Sequence, residues 1–207
     1  MTAARLLPFL LIASACGSAA GQGDARGPVV FADNCAPCHG YAGEGKPSIA
    51  TPAIAGLPSW YVEAQLGKFR GGMRGAHVDD APGLRMRPMA RALDEEDVSR
   101  IAAHVGSMPV QTPDRSAVPH GDAEAGKALY ATCTACHGPE GKGNEQLNAP
   151  PIAQLDDWYM VTQLHNFKHG LRGAADGDIT GAQMRPMAMT LADDQAVADV
   201  VAYISTL

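Results

Sequence analysis

The pentapeptide Cys35-Ala36-Pro37-Cys38-His39 recurs as Cys133-Thr134-Ala135-Cys136-His137. C-x-x-C-H is the signature of covalent haem attachment. Two thiols a short loop apart add across the two vinyl groups of one haem, and the adjoining histidine is held beneath the iron. Two such motifs predict two covalently bound haem c groups, on Cys35 and Cys38 and on Cys133 and Cys136, with His39 and His137 as proximal iron ligands. A four-cysteine zinc site closes a loop of about 15–20 residues between its pairs, whereas Cys38 and Cys133 stand 95 positions apart. A redox dithiol has no use for a histidine after both pairs.

The motifs sit in a duplication. An offset of 98 residues brings Gly43 and Gly45 onto Gly141 and Gly143, and Trp60-Tyr61 onto Trp158-Tyr159. It also brings Arg74-Gly75-Ala76 onto Arg172-Gly173-Ala174, and Met86-Arg87-Pro88-Met89-Ala90 onto Met184-Arg185-Pro186-Met187-Ala188. Two copies make a duplicated domain, not a solenoid. Three prolines between residues 107 and 119 mark a stiff connection. The expected division is a first domain at 21–109, a linker at 110–120 and a second domain at 121–207.

Each copy reads as helical. Helices are expected near 24–34 and 122–132, 59–71 and 157–169, and 94–106 and 192–206. Trp60, Leu66 and Phe69 recur at helical spacing, and Asp94, Asp97, Asp193 and Asp194 place acids in first turns, where the helix dipole favours them. No segment alternates long enough to argue a strand, so the fold class is all-α. Aromatic residues make up only 5% of the chain, too few for a rich side-chain core. An apolar haem disc lets a domain of about 90 residues close without one. Gly27, four places before Phe31, suits a close helix crossing. The offset equates these with Ala125 and Leu129, while Gly126 and Tyr130 each stand one place later; Tyr203 is a candidate to meet that surface.

The amino terminus reads as an export signal over residues 1–20. Arg5 precedes a short apolar run from Leu6 to Ala15, and Ser18-Ala19-Ala20 offers a cleavage site before Gly21. The run is too short to span a bilayer. Acylation of Cys16, giving a lipid anchor, fits less well, because Ala13-Ser14-Ala15 lacks the usual leucine three places before the cysteine. The expected location is the periplasm.

A haem iron with one histidine needs its sixth position explained. Both copies should solve this alike. Met73, Met160, Met189, His77, His165 and His169 have no matching donor in the other copy. Only Met86/Met184 and Met89/Met187 recur, and the residues alone do not choose between those pairs.

The series C-x-x-C-H, P-x-I-A, WY-x3-QL-x2-F, R-G-A and M-R-P-M-A-x3-L, present twice, resembles the two-haem class I cytochromes of the cytochrome c4 family over residues 23–207. The resemblance implies two tandem class I cytochrome c domains, each wrapping one haem. It implies Met86 and Met184 as iron ligands, each seven places before a leucine, Leu93 or Leu191, that opens the last helix. It makes the carbonyls of Pro52 and Pro150 the acceptors for the ligand histidines, and places Arg74 and Arg172 near haem propionates.

Residues 23–109 carry net charge −1 and residues 110–207 carry −6. Nucleic acid is excluded, since binding it needs a basic face. Redox protein partners, met through steered and salt-sensitive encounters, suit the chain better. Five arginines between residues 70 and 91, against two in the equivalent stretch, favour the reduced state of the first haem. The function implied by the resemblance is electron transfer, from a respiratory donor complex to a terminal oxidase or reductase. The alternatives are an electron-accepting subunit of a dehydrogenase, a two-haem peroxidase or a sulfur-compound oxidoreductase.

Overall fold

The structure is a computed structural model; it describes residues 25–207. The export signal, its cleavage site and Cys16 lie outside the described residues. Among those residues there are helices, short 3-10 turns and two isolated bridges, but no strands. No described helix is long and apolar enough to cross a membrane.

The first repeat holds α1 (Arg26–Asn34), α2 (Ala36–His39), α3 (Ser59–Gly71), α4 (Ala81–Arg91) and α5 (Glu95–Ser107). The second holds α6 (Ala123–His137), α7 (Asp157–Lys168), α8 (Ile179–Met189) and α9 (Asp194–Ile204). The second copy runs one continuous helix through its C-x-x-C-H motif, while the first breaks at Cys35. Proline explains this: Pro37 has no N–H to donate to the carbonyl four residues back, and its counterpart is Ala135.

In each repeat the first and last helices cross at a glycine. A Cβ on Gly27 would stand 2.9 Å from the Arg100 carbonyl oxygen, and one on Gly126 would stand 1.9 Å from that of Asp199. Gly126, not Ala125, is therefore the spatial partner of Gly27, and the first and the last helices both slip one residue from the 98-residue offset, as Arg100 with Asp199 and the capping Asp94 with Asp193 also show. Phe31 and Tyr130 follow the slip. Phe31 meets His104 edge-on at 5.2 Å, and Tyr130 meets Tyr203 at 5.3 Å.

Helices α4 and α8 were not signalled by apolar periodicity. Each contains a proline, Pro88 or Pro186, which argues against a helix interior. The carbonyls four places before these prolines belong to Leu84 and Ala182, both exposed residues. Both helices start the same way: Asp80 Oδ1 accepts from the Gly83 N–H, and Asp178 Oδ1 from the Gly181 N–H, each at 3.0 Å. Such caps contribute about 1 kcal/mol each.

The segment after α5 is strapped down. The Asp157 N–H donates to the Asp114 carbonyl at 2.9 Å. The Arg115 guanidinium donates to the Leu155 and Ala153 carbonyls and to the buried Asp157 carboxylate. Leu155 packs against the cores of both repeats.

Candidate haem sites

Each repeat encloses one large apolar cavity. The first, about 1550 Å3 including its open mouth, has Cys35, Cys38, His39, Met86 and Met89 on its wall. The second, about 1290 Å3, has Cys133, Cys136, His137, Met184 and Met187. Every residue singled out for iron or thioether chemistry therefore faces a cavity, and each cavity takes its set from one repeat.

The histidines are fixed by the loops that follow them. His39 Nδ1 lies 2.9 Å from the Pro52 carbonyl oxygen, and His137 Nδ1 lies 2.8 Å from that of Pro150. Pro150 rather than its neighbour Pro151 is thus the acceptor. An Nδ1–H given to a carbonyl leaves Nε2 with a free lone pair, the form a metal requires. Burial lowers the pKa of both imidazoles, against the pull of these carbonyls, and keeps them neutral at pH 7. The thiols are equally distinctive. Burial, with the neighbouring Cys38, pushes Cys35 up to about 11, and burial raises Cys133 as well. A redox dithiol depends on a depressed thiol pKa, so this arrangement argues against one.

The methionine pairs differ in depth. Met86 and Met184 are half-buried, with Met86 packed on the first core. Met89 and Met187 stand at the cavity mouths, 42% and 40% exposed.

The arginines of the R-G-A motif are not on the surface. Arg74 and Arg172 are both buried. The chain turns back sharply after each: a Cβ on Gly75 would stand 2.3 Å from the Gly83 carbonyl oxygen, and one on Gly173 would stand 2.4 Å from that of Gly181. Both side chains cross the boundary between repeats. Arg74 donates to Gln65 at 2.9 Å, and across to Tyr159 Oη at 2.8 Å and Gln163 at 3.2 Å. Arg172 donates to Gln163 at 2.9 Å, and across to Tyr61 Oη at 3.3 Å and Gln65 at 2.9 Å. Burial acts to raise the Tyr159 hydroxyl pKa, but the two guanidinia outweigh it and hold it below its usual value. Tyr61, Gln65, Tyr159 and Gln163 line both cavities, so the two sites share one wall. This network was not anticipated from the sequence. Its signal was the recurrence of tyrosine and glutamine four residues apart on α3 and α7.

Haem fits these cavities. Paired thiols, a neutral histidine committed through Nδ1 and a thioether all face one apolar space. Trp158 Nε1, on the wall of the first cavity, is buried with no hydrogen-bond partner. It and the Arg74 and Arg172 guanidinia are donors suited to carboxylates such as propionates.

An all-helical domain built around such a site is a c-type cytochrome domain, and here there are two in tandem. The chain belongs to the cytochrome c family, whose model matches residues 25–109 and 123–207. It is 32% identical over 183 residues to the thiosulfate dehydrogenase electron acceptor of Stutzerimonas stutzeri, covering 82% of this chain and 78% of that one. It is 29% identical over 215 residues to cytochrome c4 of Azotobacter vinelandii, covering 98% of each. It resembles the crystal structure of reduced cytochrome c4 from Pseudomonas stutzeri with a TM-score of 0.69 and 28% identity, covering 91% of this chain and all of that one. The chain is thus a two-haem electron-transfer protein with two covalently bound haem c groups.

Proposed function

We propose that the chain is a periplasmic electron shuttle and not itself an enzyme. It takes electrons singly from a respiratory donor and passes them to a terminal oxidase or reductase. Bound haem supplies reversible one-electron iron chemistry. In this reading Cys35, Cys38, Cys133 and Cys136 form the thioethers. His39 and Met86 ligate one iron, and His137 and Met184 the other. The carbonyls of Pro52 and Pro150 orient the histidines, while Leu66, Phe69, Met160 and Phe167 keep water from the ring faces. The wall shared by the two cavities carries the reading, because haems held in both would stand on either side of a few side chains.

The relative named as a thiosulfate dehydrogenase electron acceptor supports a second reading, in which a dehydrogenase is the dedicated donor. One experiment separates the cases. The oxidised holoprotein is mixed with thiosulfate, with and without a catalytic amount of thiosulfate dehydrogenase. A shuttle is not reduced by thiosulfate alone. Rapid reduction only in the presence of the dehydrogenase favours the second reading. Reduction by thiosulfate alone would make the chain an enzyme and overturn the proposal.

A further inference from the structure

The two cavities are not electrically equivalent, although the repeat makes their scaffolds alike. Asp80 and Asp178 are repeat partners, 6% and 3% exposed, and each caps its helix in the same way. The backbones opposite them also match: the Lys68 carbonyl accepts from the Arg74 N–H at 3.2 Å, and the Asn166 carbonyl from the Arg172 N–H at 3.1 Å. The side chains at this pair of positions differ. Lys68 reaches out of the first repeat and places Nζ 2.6 Å from Asp178 Oδ1, donating also to Thr180 Oγ1. Asparagine at position 166 carries no charge to return the contact. Among the described residues, no Lys, Arg or His forms an ion pair with Asp80. The walls differ accordingly. Asp80 faces the first cavity, whereas Lys68 faces the second and Asp178 is not on its wall.

Reduction removes one positive charge from a haem. A nearby ammonium therefore favours the reduced state, and a nearby carboxylate opposes it. Position decides how much survives screening. The Lys68 side chain is only 16% exposed and that of Asp178 1%, so salt acts weakly on this pair. Most of the arginine excess read from the sequence is matched or screened: Arg70 has Lys168, Arg74 is shared across the boundary with its counterpart Arg172, Arg87 has Arg185, Arg91 is exposed, and Arg85, although on the wall of the first cavity, is an exposed side chain whose charge solvent screens.

We propose that Lys68, a residue of the first domain, sets the reduction potential of the second haem and raises it from across the domain boundary. Asp80, a buried carboxylate without an ion-pair partner, holds the first haem down. The proposal rests on the two-haem electron-transfer reading, and the repeat supplies the test. Lys68→Asn removes the cation, Asn166→Lys supplies the missing one opposite Asp80, and Lys68→Arg keeps the charge. Each holoprotein is titrated spectroscopically, with the second haem's wave identified by the downward shift that Met184→His gives it. Lys68→Asn should lower only the second haem's potential, Asn166→Lys should raise only the first's, and Lys68→Arg should leave both in place. The shifts should persist at high salt. If Lys68 is merely a clamp, Lys68→Asn lowers the unfolding midpoint and leaves both potentials unchanged, which overturns the proposal. Should Lys68→Asn fail to fold, an unmoved first wave in Asn166→Lys overturns it as well. A wild type without two one-electron waves would instead refute the two-haem reading.

Discussion

Adding one methyl group at Gly126 tests the packing argument. The new Cβ would stand 1.9 Å from the Asp199 carbonyl oxygen, 2.5 Å from its carbon and 3.0 Å from Tyr203 Cβ. Two of those atoms are helix backbone and cannot swing aside as a side chain would. Helix α9 is held by Val197, Val200, Val201 and Ile204, all buried. To admit the methyl, α6 and α9 must part by roughly an ångström or more, loosening that core. Overpacking of this kind costs about 3 kcal/mol at the upper end of its usual range. Alanine's better helix propensity returns about 1 kcal/mol. The net loss is therefore about 2 kcal/mol, or roughly 10 °C in the Tm of a domain this size. Gly67 is the control: it lies in α3 and a Cβ there meets nothing within 4 Å. Gly67→Ala should stabilise by about 0.5–1 kcal/mol. Thermal unfolding of the holoproteins, followed by circular dichroism in the Soret region, reads both. Gly126→Ala unfolding at or above the wild-type temperature would refute the crossing geometry.

Three further outcomes are expected. After acid-acetone treatment the intact mass should still exceed the polypeptide mass by two haems, whereas unlinked haem would be extracted. Met86→Ala and Met184→Ala should each turn one haem high-spin or misligated, while Met89→Ala and Met187→Ala leave both low-spin; absorption spectra of the ferric proteins distinguish these cases. Tyr159→Phe removes the Oη that accepts from Arg74 at 2.8 Å and should destabilise the protein by about 1–2 kcal/mol, as measured by denaturant unfolding.

The chemistry was more legible in the sequence than the boundary between the domains. C-x-x-C-H states its function in five adjacent residues, and Trp60, Leu66 and Phe69 keep helical spacing across the span that became α3. Helices α4 and α8 were obscured because Pro88 and Pro186 contradict local propensity, and Asp80 and Asp178 cap their starts without an apolar stripe. The slip between Gly27 and Gly126 showed in the sequence only as a glycine and an aromatic standing one place beyond the offset that the cysteines set, and the helix crossing was needed to choose Gly126 over Ala125. Contacts from Arg74 to Tyr159 and from Arg172 to Tyr61 join residues more than 80 positions apart, and no periodicity encodes them. The mismatch of Lys68 with Asn166 stood in plain view, but its meaning needed Asp178 placed beside it.

The central claim, two irons closed by methionine in an electron carrier, is tested most directly by one redox titration of the purified holoprotein with full absorption spectra and carbon monoxide present in the reduced arm. The account predicts two one-electron waves, a ferric methionine–iron charge-transfer band with the intensity of two haems, and no carbon monoxide adduct. A carbon monoxide complex at either haem, or a band with the intensity of one, would contradict it.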